Sequence, residues 1–161
     1  MKEFKNMINF KGITEDNFTA IIQMKRPDSE RFVASNAYSL AQAWLYRNAN
    51  DVYPFAIYDD DIPVGFMMLD EDLEEKILAI WRIMFPVEHQ NKGYGTQAIR
   101  QIIQMAKESG KYDFMIISCA PDNEIARHIY EKLGFETTGE SDNGEITLKL
   151  SFVKDSPTVS G

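Results

Sequence analysis

A short glycine-containing segment, Gln90-Asn91-Lys92-Gly93-Tyr94-Gly95, has the composition of a phosphate-binding loop. Two glycines two residues apart let the backbone turn tightly and approach a ligand without interference from a Cβ atom. The segment stands between a predicted strand and a predicted helix, so the free N–H groups of the first helical turn, which includes Thr96, and the helix dipole favour an anion there. Lys92 adds a positive charge, and His89 and Arg100 are further candidates for phosphate binding. These residues predict a phosphate or pyrophosphate site, although the glycines alone suit an ordinary strand-to-helix turn equally well.

Two other nucleotide-binding loops match the same residues poorly. The P-loop needs four residues between its glycines and then Gly-Lys-Ser/Thr, which this segment lacks. The dinucleotide fingerprint comes closer, because Gly93, Gly95 and Ala98 satisfy its spacing, but it also needs an acidic residue at the end of the next strand. Ser118 stands at that position, and Asp113 precedes the strand instead. A dinucleotide-binding domain is therefore disfavoured.

A second group of candidate residues lies on a predicted helix over residues 123–133. Its predicted core-facing stripe consists of Ile125, Ile129 and Leu133, which are four residues apart. Asn123 and Tyr130 are separated by close to two helical turns and so line up along the helix. The ordinary pKa of a tyrosine is about 10 and that of a thiol about 8.5, so a neutral tyrosine can donate a proton to a departing thiolate. Tyrosine is also an ordinary half-buried packing residue, so Tyr130 alone identifies no reaction.

The elements around these residues predict a mixed α+β domain. Hydrophobic periodicity and capping residues predict helices over residues 15–24, 35–48, 95–109 and 123–133. Alternating or continuous apolar runs predict strands over residues 7–13, 55–58, 64–70, 76–85, 114–118, 135–138 and 145–151. Antiparallel strands come first, strand–helix–strand–helix follows, and a hairpin around Asn143-Gly144 ends the order. This order favours an α+β domain over a doubly wound one.

Composition and charge limit the possible functions. With 161 residues, of which 44% are hydrophobic, the chain suits one domain over residues 1–152, followed by a loosely ordered polar tail at 153–161. The net charge of −8 disfavours nucleic acid as the main partner. The lone Cys119 excludes an internal disulfide and a multi-cysteine zinc site, and no metal is expected. We expect a cytoplasmic protein with no membrane partner, because no stretch has the length of a span or the character of a signal peptide.

Both candidate segments resemble motifs of the GNAT family of N-acetyltransferases. The run from Trp81 to Gly95 is similar to the central family motif: a strand, a Gln/Arg-x-x-Gly-x-Gly/Ala loop and a helix. The second family motif has its counterpart in Asn123-x-x-Ala126-x-x-Ile129-Tyr130-x-x-Leu133-Gly134-Phe135. The resemblance covers roughly residues 55–150. It implies the GNAT fold, a central mixed sheet of six to seven strands flanked by about four helices.

The resemblance implies that acetyl-CoA is the cosubstrate and that CoA is released, without a metal. In the family, the strand that corresponds to residues 76–85 bulges and diverges from the next parallel strand. Backbone N–H groups of Ile83, Met84 and Phe85 would then bind the pantetheine arm and the thioester oxygen. The pyrophosphate would be held by Gln90, Asn91, Lys92, Gly93, Tyr94, Gly95 and Thr96. Asn123 and Ala126 would bind the pantetheine arm, and Tyr130 would be the general acid at the sulfur atom.

The acceptor side resembles the bacterial diamine and polyamine members of the family, over residues 32–44, 54–58 and 63–66. A polyamine acceptor agrees with the acidic charge balance, and two sets of side chains are candidates for binding its ammonium groups. The candidate carboxylates are Glu71, Asp72, Glu74 and Glu75, and the candidate aromatic faces are Tyr38, Trp44 and Trp81. Spermidine/spermine acetyltransferases carry a glutamate where this chain has Trp81. The base could instead come from the acidic segment 70–75, from Glu30 or through water, so the sequence names none.

Two other functions stay open from the sequence. One is acetylation of a protein α-amino group, which would need an acceptor groove for an extended peptide. The other is an acyl-CoA-binding module without turnover. Asn123 and Tyr130 argue against the second, because a module that only binds has no need of a proton donor. Family members are often dimers, so a homodimer is a further expectation.

Overall fold

The computed structural model describes residues 8–25, 34–142 and 144–153. Its strands form a single sheet and are β1 Ile8–Gly12, β2 Val52–Asp59, β3 Ile62–Asp72, β4 Ile77–Met84, β5 Phe114–Cys119, β6 Glu136–Asp142 and β7 Glu145–Ser151. The α-helices of these ranges are α1 Phe18–Gln23, α2 Asn36–Leu45, α3 Tyr94–Ser109 and α4 Glu124–Lys132. Single turns of 3₁₀-helix occur at Arg47–Ala49 and Val87–His89. Asn143 of the predicted hairpin turn and most of the predicted tail, residues 154–161, lie outside the described residues.

The strands follow the order β1-β2-β3-β4-β5-β7-β6 across the sheet. All neighbouring strands are antiparallel except β4 and β5, which run parallel. The antiparallel strands β2 and β3 need only Asp60 and Asp61 between them, whereas the parallel pair needs a long crossover, which α3 supplies. The predicted α+β class, with a mixed sheet of six to seven strands and about four helices, is confirmed.

Both faces of the sheet are covered, as β3 shows. Met67 and Met68 are neighbours in this strand and point to opposite faces, yet each is 0% exposed. Met67 belongs to a cluster that includes Ile99 of α3 and Tyr130 of α4. Met68 belongs to a second cluster that includes Ile21 of α1. Helix α3 therefore covers one face, and α1 packs against the other.

Helices α1 and α2 are shorter than predicted. The expected ranges were 15–24 and 35–48, whereas the helices span Phe18–Gln23 and Asn36–Leu45. The chain before α1 forms a turn instead, in which the Asn17 side chain accepts a hydrogen bond from the Thr14 N–H at 2.8 Å. The buried Asn36 joins the two helices by donating from Nδ2 to the carbonyl oxygen of Ile21 at 2.8 Å. This side-chain bond fixes α2 against α1 on the same face of the sheet.

Helices α3 and α4 lie where the sequence placed them. Gly110 follows α3 with a φ of 67°, which confirms the predicted glycine stop. Asn123 caps α4, because its side-chain oxygen accepts a hydrogen bond from the Ala126 N–H at 3.2 Å. The predicted core-facing stripe of α4 is wrong at Ile125, which is 79% exposed. None of the helices in the described ranges is long and apolar enough to cross a membrane.

Candidate active site

A gap opens between the two parallel strands at their carboxyl ends. β4 and β5 pair only as far as Ile80 and Ile117, although β4 continues to Met84 and β5 to Cys119. Just after Ile80 the pairing of β4 with β3 shifts register, which makes Trp81 an extra residue in β4. Such a bulge bends a strand and increases its twist. The divergence of the two strands expected from the resemblance is therefore present.

A sharply turned loop leads from β4 into α3. Asn91 and Gly93 have φ angles of 61° and 79°, in the left-handed region that asparagine and glycine tolerate best. The Gln90 side chain closes the loop by donating to the carbonyl oxygen of Phe85 at 3.0 Å. Helix α3 then starts at Tyr94 with no side-chain cap among the described residues. Its first N–H groups are consequently left for an outside acceptor, and the helix dipole favours an anionic one.

The gap, the loop and α4 surround a cavity of about 650 Å³, a volume in the usual range of ligand pockets. The predicted site residues that line it are Ile83, Met84, Phe85, Gln90, Asn91, Gly93, Tyr94, Gly95, Thr96, Asn123, Ala126 and Tyr130. The exposed Lys92 is outside this lining. The two sequence motifs, more than twenty residues apart in the chain, therefore meet around one space.

Two residues of the second motif, Asn123 and Tyr130, line the cavity, and each is held in place by a different contact. Tyr130 is 8% exposed, and its ring packs against Phe135 with ring centroids 6.3 Å apart. The carbonyl oxygen of Tyr130 also accepts the Phe135 N–H at 3.1 Å, so both backbone and ring are fixed. The side-chain oxygen of Asn123 is used in the cap of α4. The Nδ2 donor of Asn123 takes no part in this cap and can therefore serve a ligand while the cap holds.

Two features at the cavity were not part of the predicted site: the His89 ring and the hydrogen-bond partner of Tyr94. His89 lines the cavity, and its buried Nδ1 has no hydrogen-bond partner among the described residues. Tyr94 donates its hydroxyl hydrogen to Asp59 Oδ2 at 2.5 Å. Asp59 is 35 positions away in the chain, so no local spacing pattern could connect it with the loop. His89, by contrast, is next to the motif and was a candidate for phosphate binding on charge alone.

The acidic segment is not at this cavity. Glu71 pairs with Leu78 and Asp72 with Ile77, so the segment joins β4 at its first residues. Ile83 lies six residues further along β4, or about 20 Å at the usual rise of a strand. Glu71 is instead used structurally, because it accepts hydrogen bonds from the hydroxyl groups of Tyr53 and Tyr112. This position disfavours the acidic segment as the source of the base or as the site of the acceptor ammonium.

The aromatic candidates for the acceptor side differ in their surroundings. Trp44 is 64% exposed on α2, but the Arg47 guanidinium already lies over its ring at 3.6 Å from the centroid. Trp81 has the Arg82 guanidinium 5.0 Å from its ring centroid. Tyr38 is 58% exposed. Intramolecular cations thus lie over both tryptophan rings, which disfavours them as ammonium sites, and Glu30 lies outside the described residues.

One carboxylate does approach the end of the gap from the other face of the sheet. Glu145 begins β7, and the next residue, Ile146, pairs with Cys119 at the end of β5. Glu145 alternates with Thr147, whose hydroxyl lies 3.4 Å from that of Ser118, so these side chains share one sheet face. Burial lowers the pKa of Arg82, and the charge of Glu145 opposes that shift. Glu145 is therefore close enough to the bulged part of β4 for its charge to act there.

Comparison with known proteins agrees with the family resemblance found in the sequence. The model described as "Acetyltransferase (GNAT) family" matches residues 18–135. The chain is 28% identical over 149 residues to the spermine/spermidine N(1)-acetyltransferase of Bacillus subtilis strain 168, covering 88% of this chain and 96% of that protein. It is 29% identical over 134 residues to the uncharacterized N-acetyltransferase YbbJ of the same organism, covering 76% of this chain and 81% of that protein.

Solved structures share the fold at low sequence identity. The spermidine N-acetyltransferase of Vibrio cholerae in complex with CoA and spermine superposes with a TM-score of 0.70 at 16% identity, over 89% of this chain and 95% of that one. A ribosomal L7/L12 alpha-N-protein acetyltransferase in complex with coenzyme A gives 0.76 at 12% identity, over 92% and 96%. At these identities the likeness concerns the fold and does not distinguish between the two acceptors.

Proposed function

The chain belongs to the GNAT family of acetyl-CoA-dependent N-acetyltransferases, and we propose that it transfers the acetyl group to a primary amine of a polyamine, with Tyr130 as general acid. The observation that carries the proposal is the cavity in which the uncapped start of α3, the diverging end of β4 and Tyr130 meet. The curated spermine/spermidine relative supports the acceptor class.

The start of α3 suits the pyrophosphate of the cosubstrate. The N–H groups of Tyr94, Gly95 and Thr96 belong to the first turn, which no side chain among the described residues caps. A Cβ atom at Gly93 would meet nothing closer than the Gln97 amide at 3.8 Å, so a ligand has room beside the backbone. An anion that accepts hydrogen bonds from these groups also gains from the helix dipole. His89 adds a buried ring nitrogen to the same wall.

The bulged end of β4 suits the arm that carries the thioester. Beyond Ile80, β4 is no longer paired with β5 in the part of the chain that the structure describes. An extended chain that enters the gap can bond to the β4 backbone as an added strand. Backbone N–H groups at Ile83, Met84 and Phe85 can also stabilise the oxyanion that forms when the amine attacks the carbonyl carbon. The acetyl group supplied by acetyl-CoA would then lie at the end of the gap.

Tyr130 suits the protonation of the departing sulfur. Its side chain lines the cavity and its position is fixed by Phe135. When the carbon–sulfur bond breaks, the departing thiolate would take a proton from the Tyr130 hydroxyl. The tyrosinate left behind would regain a proton from the nitrogen of the tetrahedral intermediate, which loses that proton as the amide forms. A group that contributes in this way accelerates a reaction by about 10²–10⁴-fold.

Glu145 is our candidate for the first proton transfer, from the substrate ammonium to a base. It lies at the end of β5 on the sheet face opposite the cluster that contains Ile117 and Leu148. An amine that approaches from that face reaches the thioester from the side opposite α3. The carboxylate of Glu145 would attract the cationic amine and accept its proton before the attack.

The test is the release of free CoA thiol from acetyl-CoA in the presence of spermine, spermidine, putrescine or a peptide with a free N-terminus. Saturable turnover with the polyamines, and none with the peptide, is the expected result. Turnover with the peptide alone would replace the polyamine proposal with protein N-terminal acetylation. CoA binding measured by calorimetry without turnover on any acceptor would contradict both.

A further inference from the structure

A buried bond connects the cofactor loop to a distant part of the sheet. Asp59 is the last residue of β2, and Tyr94 is the first residue of α3, directly after the left-handed Gly93. The Tyr94 hydroxyl donates to Asp59 Oδ2 at 2.5 Å, and each residue is 9% exposed. Hydrogen bonds to an ionised partner are short and about twice as strong as neutral ones. The start of α3 is thus tied to the β2–β3 turn by a strong bond that is shielded from water.

The hydrogen bond keeps Tyr94 protonated. The bond to Asp59, together with burial, raises the pKa of Tyr94 to about 12. At neutral pH the tyrosine therefore stays a neutral donor, and its hydroxyl hydrogen is engaged by Asp59. Its contribution must come from position.

The Tyr94 ring is fixed from the cavity side as well. It stacks on Phe85 with ring centroids 6.1 Å apart, and the His89 ring meets it edge-on at 6.3 Å. Phe85 in turn lies on Gly65 of β3, where an added Cβ would be 2.6 Å from two ring carbons. The end of β4, the loop and the start of α3 therefore meet at one tyrosine ring, whose far end is held by Asp59.

We propose that Asp59 is a positioning residue for the cosubstrate: through Tyr94 it fixes the first turn of α3 in the orientation that binds the CoA pyrophosphate. Asp59 itself is not among the residues that line the cavity, so the proposed effect on the cosubstrate is transmitted through its bond to Tyr94. The inference rests on the proposed placement of CoA at the start of α3. It adds a buried carboxyl group to a site that otherwise consists of backbone and loop residues.

The experiment measures CoA binding by calorimetry, and the KM for acetyl-CoA, for the Tyr94→Phe and Asp59→Asn variants. Tyr94→Phe removes a hydrogen bond to a charged group. If part of that free energy is lost from CoA binding, the Kd for CoA should rise about tenfold. Asp59→Asn keeps an oxygen acceptor for the Tyr94 hydroxyl, so a smaller rise in the Kd for CoA and in the KM for acetyl-CoA is expected. kcat should change less than twofold in both, because neither side chain takes part in proton transfer.

Tyr112→Phe is the matched control. Tyr112 also donates to a half-buried carboxylate, that of Glu71, but near the amino end of β4. It should lower stability while leaving CoA affinity within twofold of the unmodified chain. Equal CoA affinity in Tyr94→Phe and Tyr112→Phe would overturn the positioning role. If the unmodified chain binds no CoA at all, the proposed function fails and the inference fails with it, a result distinct from the first.

Discussion

The two ends of the central strands contain the same chemical pair in different settings. At the carboxyl end of β4, which we call the open end, Tyr94 donates to Asp59 beside the cavity and the start of α3. At the amino end of β4, which we call the closed end, Tyr112 and Tyr53 donate to Glu71, and β4 and β5 are still paired. Both pairs join distant parts of the chain. We expect such a bond to affect ligand binding only where the backbone that it fixes borders the cavity, and the following predictions test that contrast.

The largest effect is expected for Tyr130→Phe, at the open end. Removal of the proton donor should lower kcat by about 100-fold or more, whereas the affinity for CoA should stay the same, because the ring and its packing against Phe135 are kept. Steady-state kinetics with spermidine and calorimetry with CoA measure the two quantities. Unchanged kcat in this variant would remove Tyr130 from the mechanism.

A smaller effect is expected for Gly93→Ala, which strains the loop at the open end. A φ of 79° is costly for alanine, by about 1–2 kcal/mol, and relief of that strain would move the first turn of α3. We expect about a tenfold rise in the KM for acetyl-CoA.

Gly110→Ala provides the control at the other end of the same helix. Its φ is 67°, and no atom lies within 4 Å of an added Cβ, so the loss of stability in urea unfolding should be similar. If Gly110→Ala raised the KM for acetyl-CoA as much as Gly93→Ala, the effect would belong to the helix as a whole, and the special role of the loop would be lost.

The acceptor side of the open end is tested by Glu145→Gln. The variant keeps size and hydrogen bonding but loses the charge that attracts an ammonium group and accepts its proton. We expect kcat/KM for spermidine to fall roughly tenfold, with the KM for acetyl-CoA unaltered. Glu71→Gln is the comparison at the closed end, and it should lower stability without a change in either kinetic constant. Equal activity of Glu145→Gln and the unmodified chain would exclude Glu145 as the base.

The smallest effect is one in which the two ends should behave alike. Tyr94 has its pKa raised to about 12, and Tyr112 has its pKa raised above the ordinary value by burial and by Glu71. Above pH 10 the unfolded tyrosines ionise while the folded ones stay neutral, so the free energy of unfolding should fall as the pH rises from about 10 to 12. Urea unfolding should show a shallower fall in Tyr94→Phe and in Tyr112→Phe. A fall of the same steepness in both variants as in the unmodified chain would contradict these shifts.

Much of the fold and of the cavity could be predicted because it depends on local patterns. The left-handed Gly93 and Gly110, the Asn123 cap and the alternation of strands follow from backbone preferences that act within a few residues. The resemblance supplied the divergence of β4 from β5, which depends on the bulge at Trp81 and has no local signal.

The wrong placement of Ile125, the disfavoured acidic segment and the overlooked Asp59 share a different cause. Ile125 fits a helical stripe by spacing, but the helix is so placed that this side chain faces out. The acidic segment suited a cationic substrate by charge, but the topology puts it at the closed end of the sheet. Asp59 was overlooked because it lies in a run of aspartates that reads as a turn. In each case the deciding quantity is the position of an element in three dimensions, which spacing along the chain does not contain.

The contact between Gly65 and Phe85 has a consequence for how this protein can evolve. A methyl group at residue 65 would lie 2.6 Å from the Phe85 ring and 2.8 Å from the backbone oxygen of Met84, closer than real contacts allow. The ring alone could be exchanged for a smaller one, but the oxygen belongs to the strand that borders the cavity. Among descendants of this chain, a larger residue at position 65 should therefore occur only together with a smaller residue at position 85 and a shifted β4. The two positions should therefore change as a pair.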